Sequence, residues 1–179
     1  MSKVFGKTER YRLIDTSGSK TIVNYGIEPV DDINSTWHEV SFSKNHGELP
    51  NINDVKEAII NDINTDTDAK ILNGFVWQGI NVWLSEENQR NFSEAQRMAE
   101  KYGEQVLPLR FKLGEDSEGN PVYHTFETVA ELDAFYTQAF RYVNQCLNEG
   151  WETKDNFDWR PYEELLPNPD TPTEESVTE

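Results

Sequence analysis

Residues 71–85, Ile-Leu-Asn-Gly-Phe-Val-Trp-Gln-Gly-Ile-Asn-Val-Trp-Leu-Ser, constrain the fold more than any other stretch of this chain. Phe75, Val76 and Trp77 lie on one side of the pair Gln78-Gly79; Ile80, Val82, Trp83 and Leu84 lie on the other. Aromatic and β-branched residues around a two-residue turn predict a β-hairpin, with Gly79 supplying a position where φ can be positive without steric cost. A strand with one wet face alternates apolar and polar residues, but these runs are apolar on both faces. Helices of this chain, or a second chain, are therefore expected to cover both sides.

At 179 residues the chain suits one domain with appendages, or two small domains. Five Trp, seven Tyr and nine Phe provide large buried area per residue. The net charge of −17 is uneven: residues 1–52 carry −1, residues 53–150 carry −9 and residues 151–179 carry −7. An acidic surface repels phosphate backbones, which argues against nucleic-acid binding. One Cys excludes an intramolecular disulfide. No apolar run approaches a membrane span and the first residues lack an apolar signal core, so the expectation is a soluble protein that is not exported by a signal peptide.

The N-terminal region contains two β-like runs, 11–14 and 21–25, joined by Thr16-Ser17-Gly18-Ser19, which predict a second hairpin. The alternation of 37–42 predicts a further strand, and the loop 46–51 marks a domain boundary. Val55, Ile59 and Ile63 form one stripe of a short helix over 54–64, with Asn53 as its N-cap. Asp62-Ile63-Asn64-Thr65-Asp66 opens like a calcium loop, but Thr67 and Asn73 stand where such a loop needs Gly and Glu, so the run reads as a helix end. Ser85 is placed to cap a helix over 86–102, with Phe92, Ala95, Ala99 and Tyr102 on its buried face and Gly103 at its end. Strands are expected at 107–113 and 121–126 around an acidic turn. Thr128-Val129-Ala130-Glu131 matches the T-x-x-E capping box of a long helix over 128–149, whose apolar stripe includes Leu132, Phe135, Tyr136, Ala139, Phe140, Val143, Cys146 and Leu147. Asn148-Glu149-Gly150 reads as its end.

No catalytic constellation is visible. His38, His46 and His124 are scattered, there is no G-x-S-x-G, and no carboxylate pair stands out in so acidic a chain, so no catalytic, cofactor-binding or metal-binding residues are assigned. Cys146 lies on the apolar stripe and reads as a small core residue. Trp77, Trp83, Trp151 and Trp159 read first as core and second as a sugar-stacking platform.

The run from Ile71 to Asn91, Ile-Leu-Asn-Gly-Phe-x-Trp-x-Gly-x-x-Val-Trp-Leu-Ser-x-Glu-Asn-Gln-x-Asn, resembles a domain-of-unknown-function family, number 4376, widespread in phages and prophages. The Leu-Pro-Leu-Arg-Phe-Lys strand, Val122-Tyr123-His124-Thr125-Phe126 and the long aromatic helix ending Glu149-Gly150-Trp151 also match, so the resemblance covers 53–162. Members often occur among phage tail, tail-fibre and adjacent structural genes. The resemblance implies a virion or assembly role and carries over no catalytic residue.

These readings predict an α+β fold: a small antiparallel sheet holding the 72–84 hairpin and the 107–126 strand pair, two to three helices packed on one face, and an N-terminal β lobe or arm. The expected divisions are 1–50 for that lobe, 51–150 for the α+β domain, 151–166 for an aromatic strap docked on it, and 167–179 for a disordered acidic tail. Truncating Trp77 or Phe140 to Ala is expected to cost about 3–5 kcal/mol if both are core. The expected function is that of a non-enzymatic bacteriophage virion structural or tail-accessory protein, located in the virion and in the host cytoplasm during assembly. It would act on other phage structural proteins, with no cofactor, nucleic-acid or membrane partner. The protein-contact candidates are Phe75, Trp77, Ile80, Trp83, Trp151 and Trp159. A tail-fibre assembly chaperone absent from the mature particle is one alternative. Others are a polysaccharide-binding or -degrading tail protein and an acidic decoy for a DNA-binding protein. A hairpin with two apolar faces further predicts a homo-oligomer, or a monomer with an aromatic patch exposed near Trp77 or Trp83.

Overall fold

The computed structural model describes residues 3–45 and 48–166; the loop expected at His46-Gly47 and the tail expected at 167–179 lie outside the described residues. The fold is α+β, with helices and, among the described residues, three small antiparallel sheets. Two compact units form: the described residues up to Thr65 together with those from Thr153 on, and Asp66–Glu152. The breaks fall inside two long helices.

The first unit is built on a four-stranded sheet. Its strands are β1 (Lys3–Lys7), β2 (Ile14–Ser17), β3 (Lys20–Pro29) and β4 (Asn34–Ser43), in the order β1-β4-β3-β2. The expected N-terminal hairpin is present, but β2 begins at Ile14 and the turn tightens to Gly18-Ser19, with Gly18 at φ 63. Helix α1 (Ile52–Asn73) lays Ile52, Val55, Ile59 and Ile63 against Val23 and Tyr25 of β3. Phe157, Trp159 and Tyr162 close this core; Tyr162 stands on a short helix, α4 (Arg160–Glu163), and donates from its hydroxyl to the Asn24 carbonyl at 2.7 Å. The aromatic segment after 151 thus packs within the N-terminal unit.

Helix α1 is twice as long as expected. Asn51, and not Asn53, caps it: Asn51 Oδ1 accepts from the backbone N–H groups of Asn53 at 2.8 Å and Asp54 at 3.1 Å. The run that resembles a calcium loop is ordinary helix. The four-residue period of Val55, Ile59 and Ile63 continues through Thr67 to buried Ile71, and packing along that line outweighs the weak helix propensity of Asn, Thr and Asp.

In the second unit the central hairpin consists of β5 (Phe75–Trp77) and β6 (Ile80–Val82). Gln78 at φ 49 and Gly79 at φ 79 form the two-residue turn with both φ values positive that such hairpins favour. Ile71, Leu72 and Asn73, expected in the strand, belong to α1. The hairpin buries one face only: Phe75, Trp77 and Val82 are buried, while Val76 between them is 60% exposed. The two-faced reading of this stretch is therefore corrected, and Trp77 is enclosed by its own chain. The second strand pair, β7 (Leu109–Glu115) and β8 (Pro121–Phe126), forms a separate ladder. Trp83 N–H donates to the Leu113 carbonyl at 2.7 Å, where one continuous sheet was expected.

Helix α2 (Glu86–Tyr102) matches the expected limits, and Ser85 Oγ accepts from the Asn88 N–H at 3.2 Å. Helix α3 (Val129–Asp155) starts at the expected box, with Glu131 N–H donating to Thr128 Oγ1 and Glu127 N–H to Glu131 Oε2. It does not stop at Gly150. There it crosses α1 so closely that a Cβ on Gly150 would stand 2.5 Å from Thr67 Oγ1, so the glycine serves a helix contact and not a helix end. The core joins Phe75, Trp77, Phe92, Phe126, Leu132 and Phe135, with the Phe92 and Phe135 ring centroids 4.9 Å apart at 90°. Phe140 is 57% exposed, which removes the expected cost of its truncation as a core residue.

Candidate functional site

Exposure separates the six contact candidates. Phe75 and Trp77 are core: Trp77 lies 5.1 Å from the Phe135 ring and 5.5 Å from the Phe126 ring and is unavailable to a partner. Ile80 packs partly buried against the same core. Trp83 is partly exposed with Lys112 Nζ 5.1 Å above its ring. Trp159 packs partly buried against the first unit's core, its ring centroid 4.2 Å from that of Phe157 at a 35° tilt and Lys56 Nζ 5.6 Å from its ring. Trp151 alone of the six is mostly exposed, at 52%. The structure does not bring these residues to one surface.

The surface that does form lies between α2 and α3. The apolar stripe of α3 is two rows wide. One row, Leu132, Phe135, Ala139 and Cys146, is buried. The neighbouring row, Tyr136, Phe140, Val143 and Leu147, turns toward a groove of about 900 Å³ whose other wall is α2. Phe92 and Ala139 lie at its base, and Tyr136 and Phe140 have ring centroids 6.3 Å apart along its α3 side. The Tyr136 hydroxyl reaches Ser93 Oγ at 3.5 Å, while Gln96 Nε2 donates to Asp133 Oδ1 at 3.2 Å and ties the two helices together. Glu86, Arg90 and Glu94 stand on the α2 rim. A hydrogen bond from Arg97 Nη2, at 2.7 Å from Glu94 Oε1, holds the Glu94 carboxyl below its ordinary pKa.

Sequence reasoning assigned Tyr136 and Phe140 to the core because both sit on an unbroken apolar stripe. The usable signal was the stripe's width: one packed neighbour accounts for roughly a 100°-wide face, and two adjacent rows exceed it. The groove has an apolar floor and polar rims, which suits it to the apolar side of a helix.

Other polar features have local roles. His124 Nε2 lies 2.9 Å from Glu131 Oε1, the carboxylate of the α3 capping box, and the His124 ring stands edge-on to Trp77 at 4.8 Å. Tyr142 donates to the Lys70 carbonyl at 2.9 Å; burial first, then a hydrogen bond with Cys146, pushes its pKa up to about 12. Among the described residues no group of three or more His, Cys, Asp or Glu is placed to hold a metal ion, and no helix is long and apolar enough to cross a membrane.

No curated protein and no solved structure matches the chain. The family model described as "Domain of unknown function (DUF4376)" matches residues 54–171. That span takes in nearly all of α1, both hairpins, α2, α3 and α4, well over half of the chain. The chain therefore belongs to the DUF4376 family.

Proposed function

We propose that this protein is a non-enzymatic bacteriophage virion structural or tail-accessory protein that works by protein–protein contact, with the α2–α3 groove as a contact surface. The observation that carries this reading is Phe140, a large aromatic side chain left more than half exposed beside Tyr136 on an apolar groove. The phage assignment rests on the family resemblance, whose members often accompany tail and tail-fibre genes. The occupant is an amphipathic helix of another particle protein, with basic residues flanking its apolar stripe. The unit that carries the groove has seven Lys and Arg against fifteen Asp and Glu, so charge complementarity favours a basic rim on the partner.

The test pairs a binding readout with a stability readout. Phe140→Ala is expected to leave the unfolding free energy within about 0.5 kcal/mol of the parent, because the side chain is mostly exposed. Phe140→Glu is expected to abolish incorporation into purified particles, followed by mass spectrometry. If the parent is absent from particles and binds no particle protein, the reading fails. If it binds a fibre protein yet is missing from particles, it is an assembly chaperone and not a virion component.

A further inference from the structure

The first unit holds a second groove, built differently. In the four-stranded sheet β1 pairs with β4 from Asn34 to His38 only. From Glu39 to Ser43, β4 has a strand partner on one side, β3, and among the described residues none on the other. That open edge is one wall of a groove of about 870 Å³, and the first half of α1, from Asp54 to Thr65, is its other wall. A strand edge facing a helix across a groove is the arrangement in which an extended segment is taken up as an added strand: alternate backbone N–H and C=O groups form the ladder, and the helix receives the side chains that point its way.

Three features mark this edge as receptive. Its register with β3 is regular from Lys20↔Ser43 to Tyr25↔His38, with the only recorded irregularity beyond that run, so no bulge twists the edge away. It contains no Pro, and the lysine that follows it, Lys44, is held by Asp54 at 2.7 Å and Glu48 at 3.1 Å, so this charge is not free to guard the edge. Val40 and Phe42, which pack against the α1 core from β4, are only partly buried; a strand laid beside them would complete their cover.

Charge selects the occupant. The groove is lined by Glu39, Glu48, Asp54, Glu57 and Asp62 against Lys44. Asp54 and Glu48 are engaged by Lys44, and Asp62 accepts from the Tyr25 hydroxyl at 2.7 Å. Glu39 forms no ion pair among the described residues, and strand alternation places it on the face opposite Val40 and Phe42, so an added strand would offer apolar side chains to Val40, Phe42 and Ala58 on one face and basic ones to Glu39 on the other.

We infer that the open edge of β4 beside α1 takes up an extended, lysine- or arginine-bearing segment of a partner protein as an additional strand. The site is independent of the α2–α3 groove and of the phage reading. Glu39 orients the segment by charge, and the β4 backbone supplies the hydrogen bonds.

The experiment uses the full chain and a short synthetic peptide alternating lysine and valine, with two controls: the same peptide with glutamate for lysine, and the same peptide N-methylated at alternate residues. Binding is read by fluorescence anisotropy, and amide hydrogen exchange of Glu39–Ser43 is read by NMR. The lysine peptide is expected to bind and to slow exchange at alternate β4 amides. The N-methylated peptide should bind at least about tenfold more weakly, the loss expected from one or two missing hydrogen bonds. The glutamate peptide should not bind. Glu39→Gln should weaken binding by several-fold and flatten its salt dependence while the circular dichroism spectrum stays unchanged. Equal binding of the N-methylated peptide, unchanged exchange along β4, or no binding of the lysine peptide would each overturn the inference.

Discussion

The Asp66–Glu152 unit packs rings on rings at its centre, whereas the unit containing the N-terminal sheet packs one aliphatic helix stripe onto β-strands and closes it with Phe157, Trp159 and Tyr162. In the former, Phe135 has Phe75, Trp77, Phe92 and Phe126 within 6.1 Å between ring centroids. In the latter, Val55, Ile59 and Ile63 meet Val23 and Tyr25. The Asp66–Glu152 core draws on a continuous stretch of chain. The core of the first unit is finished by residues more than 100 positions away, as Tyr162 bonding to Asn24 and Lys56 pairing with Glu163 at 2.7 Å show. A core made of contiguous segments can be read from local pattern; one that waits for a distant segment cannot, because its last wall is set by chain topology.

The sharpest way to break this comparison is to remove one side chain from each core. Phe135→Ala is expected to cost about 3–5 kcal/mol and Ile59→Ala about 2–5 kcal/mol, since both side chains are fully buried and leave cavities. Urea unfolding measures both, and Phe135 should be the more costly because four ring contacts go with it. A smaller loss at Phe135 than at Ile59 would mean that the ring cluster relaxes around the gap and is not the tighter core.

Gly150→Ala is next in size. Alanine improves helix propensity by about 1 kcal/mol, yet its Cβ would press on Thr67, whose branched side chain has few ways to yield. Overpacking of about 1–3 kcal/mol should win, for a net loss near 1 kcal/mol. A stabilised Gly150→Ala protein would show that α1 and α3 can separate at little cost.

The smallest effect tests the distant closure of the first unit. Tyr162→Phe removes the hydrogen bond to the Asn24 carbonyl, which still accepts from the Tyr11 hydroxyl at 3.2 Å, so the loss should be about 0.5 kcal/mol. The same site sets an alkaline limit. Burial first, then the neighbouring Tyr11, raises the Tyr162 pKa; burial and Cys146 raise that of Tyr142 to about 12. A raised folded-state pKa contributes stability that is complete below the unfolded value of about 10 and is lost as pH rises through the folded value. Unfolding should therefore set in above about pH 10, tracked by tyrosinate absorbance and circular dichroism. Tyr162→Phe should lessen the steepness of that loss, and an unchanged alkaline transition would assign it elsewhere.

Much of the fold was legible before any coordinates. The turn at Gln78-Gly79, the Ser85 cap, the limits of α2 and the Thr128–Glu131 box depend on interactions within a few residues, and the sequence carries those interactions directly. The candidate groove was not legible. Phe140 and Phe135 look alike on a helical wheel, and only the position of α2 buries one and leaves the other on the surface.

The sequence by itself determined the α+β class, the turn chemistry, the starts of α2 and α3 and the acidic character that sets which partners are electrostatically acceptable. Tertiary structure decided where the long helices end and which apolar rows stay exposed. Helix α1 runs through a polar stretch because Ile71 is buried beyond it, and α3 runs through Gly150 because α1 passes close by. Among the described residues, tertiary structure also left Glu39–Ser43 of β4 with a strand partner, β3, on one side only. Helix starts are decided by hydrogen bonds to nearby side chains. Ends, exposed rows and open edges are decided by what packs against them, and those neighbours come from elsewhere in the chain.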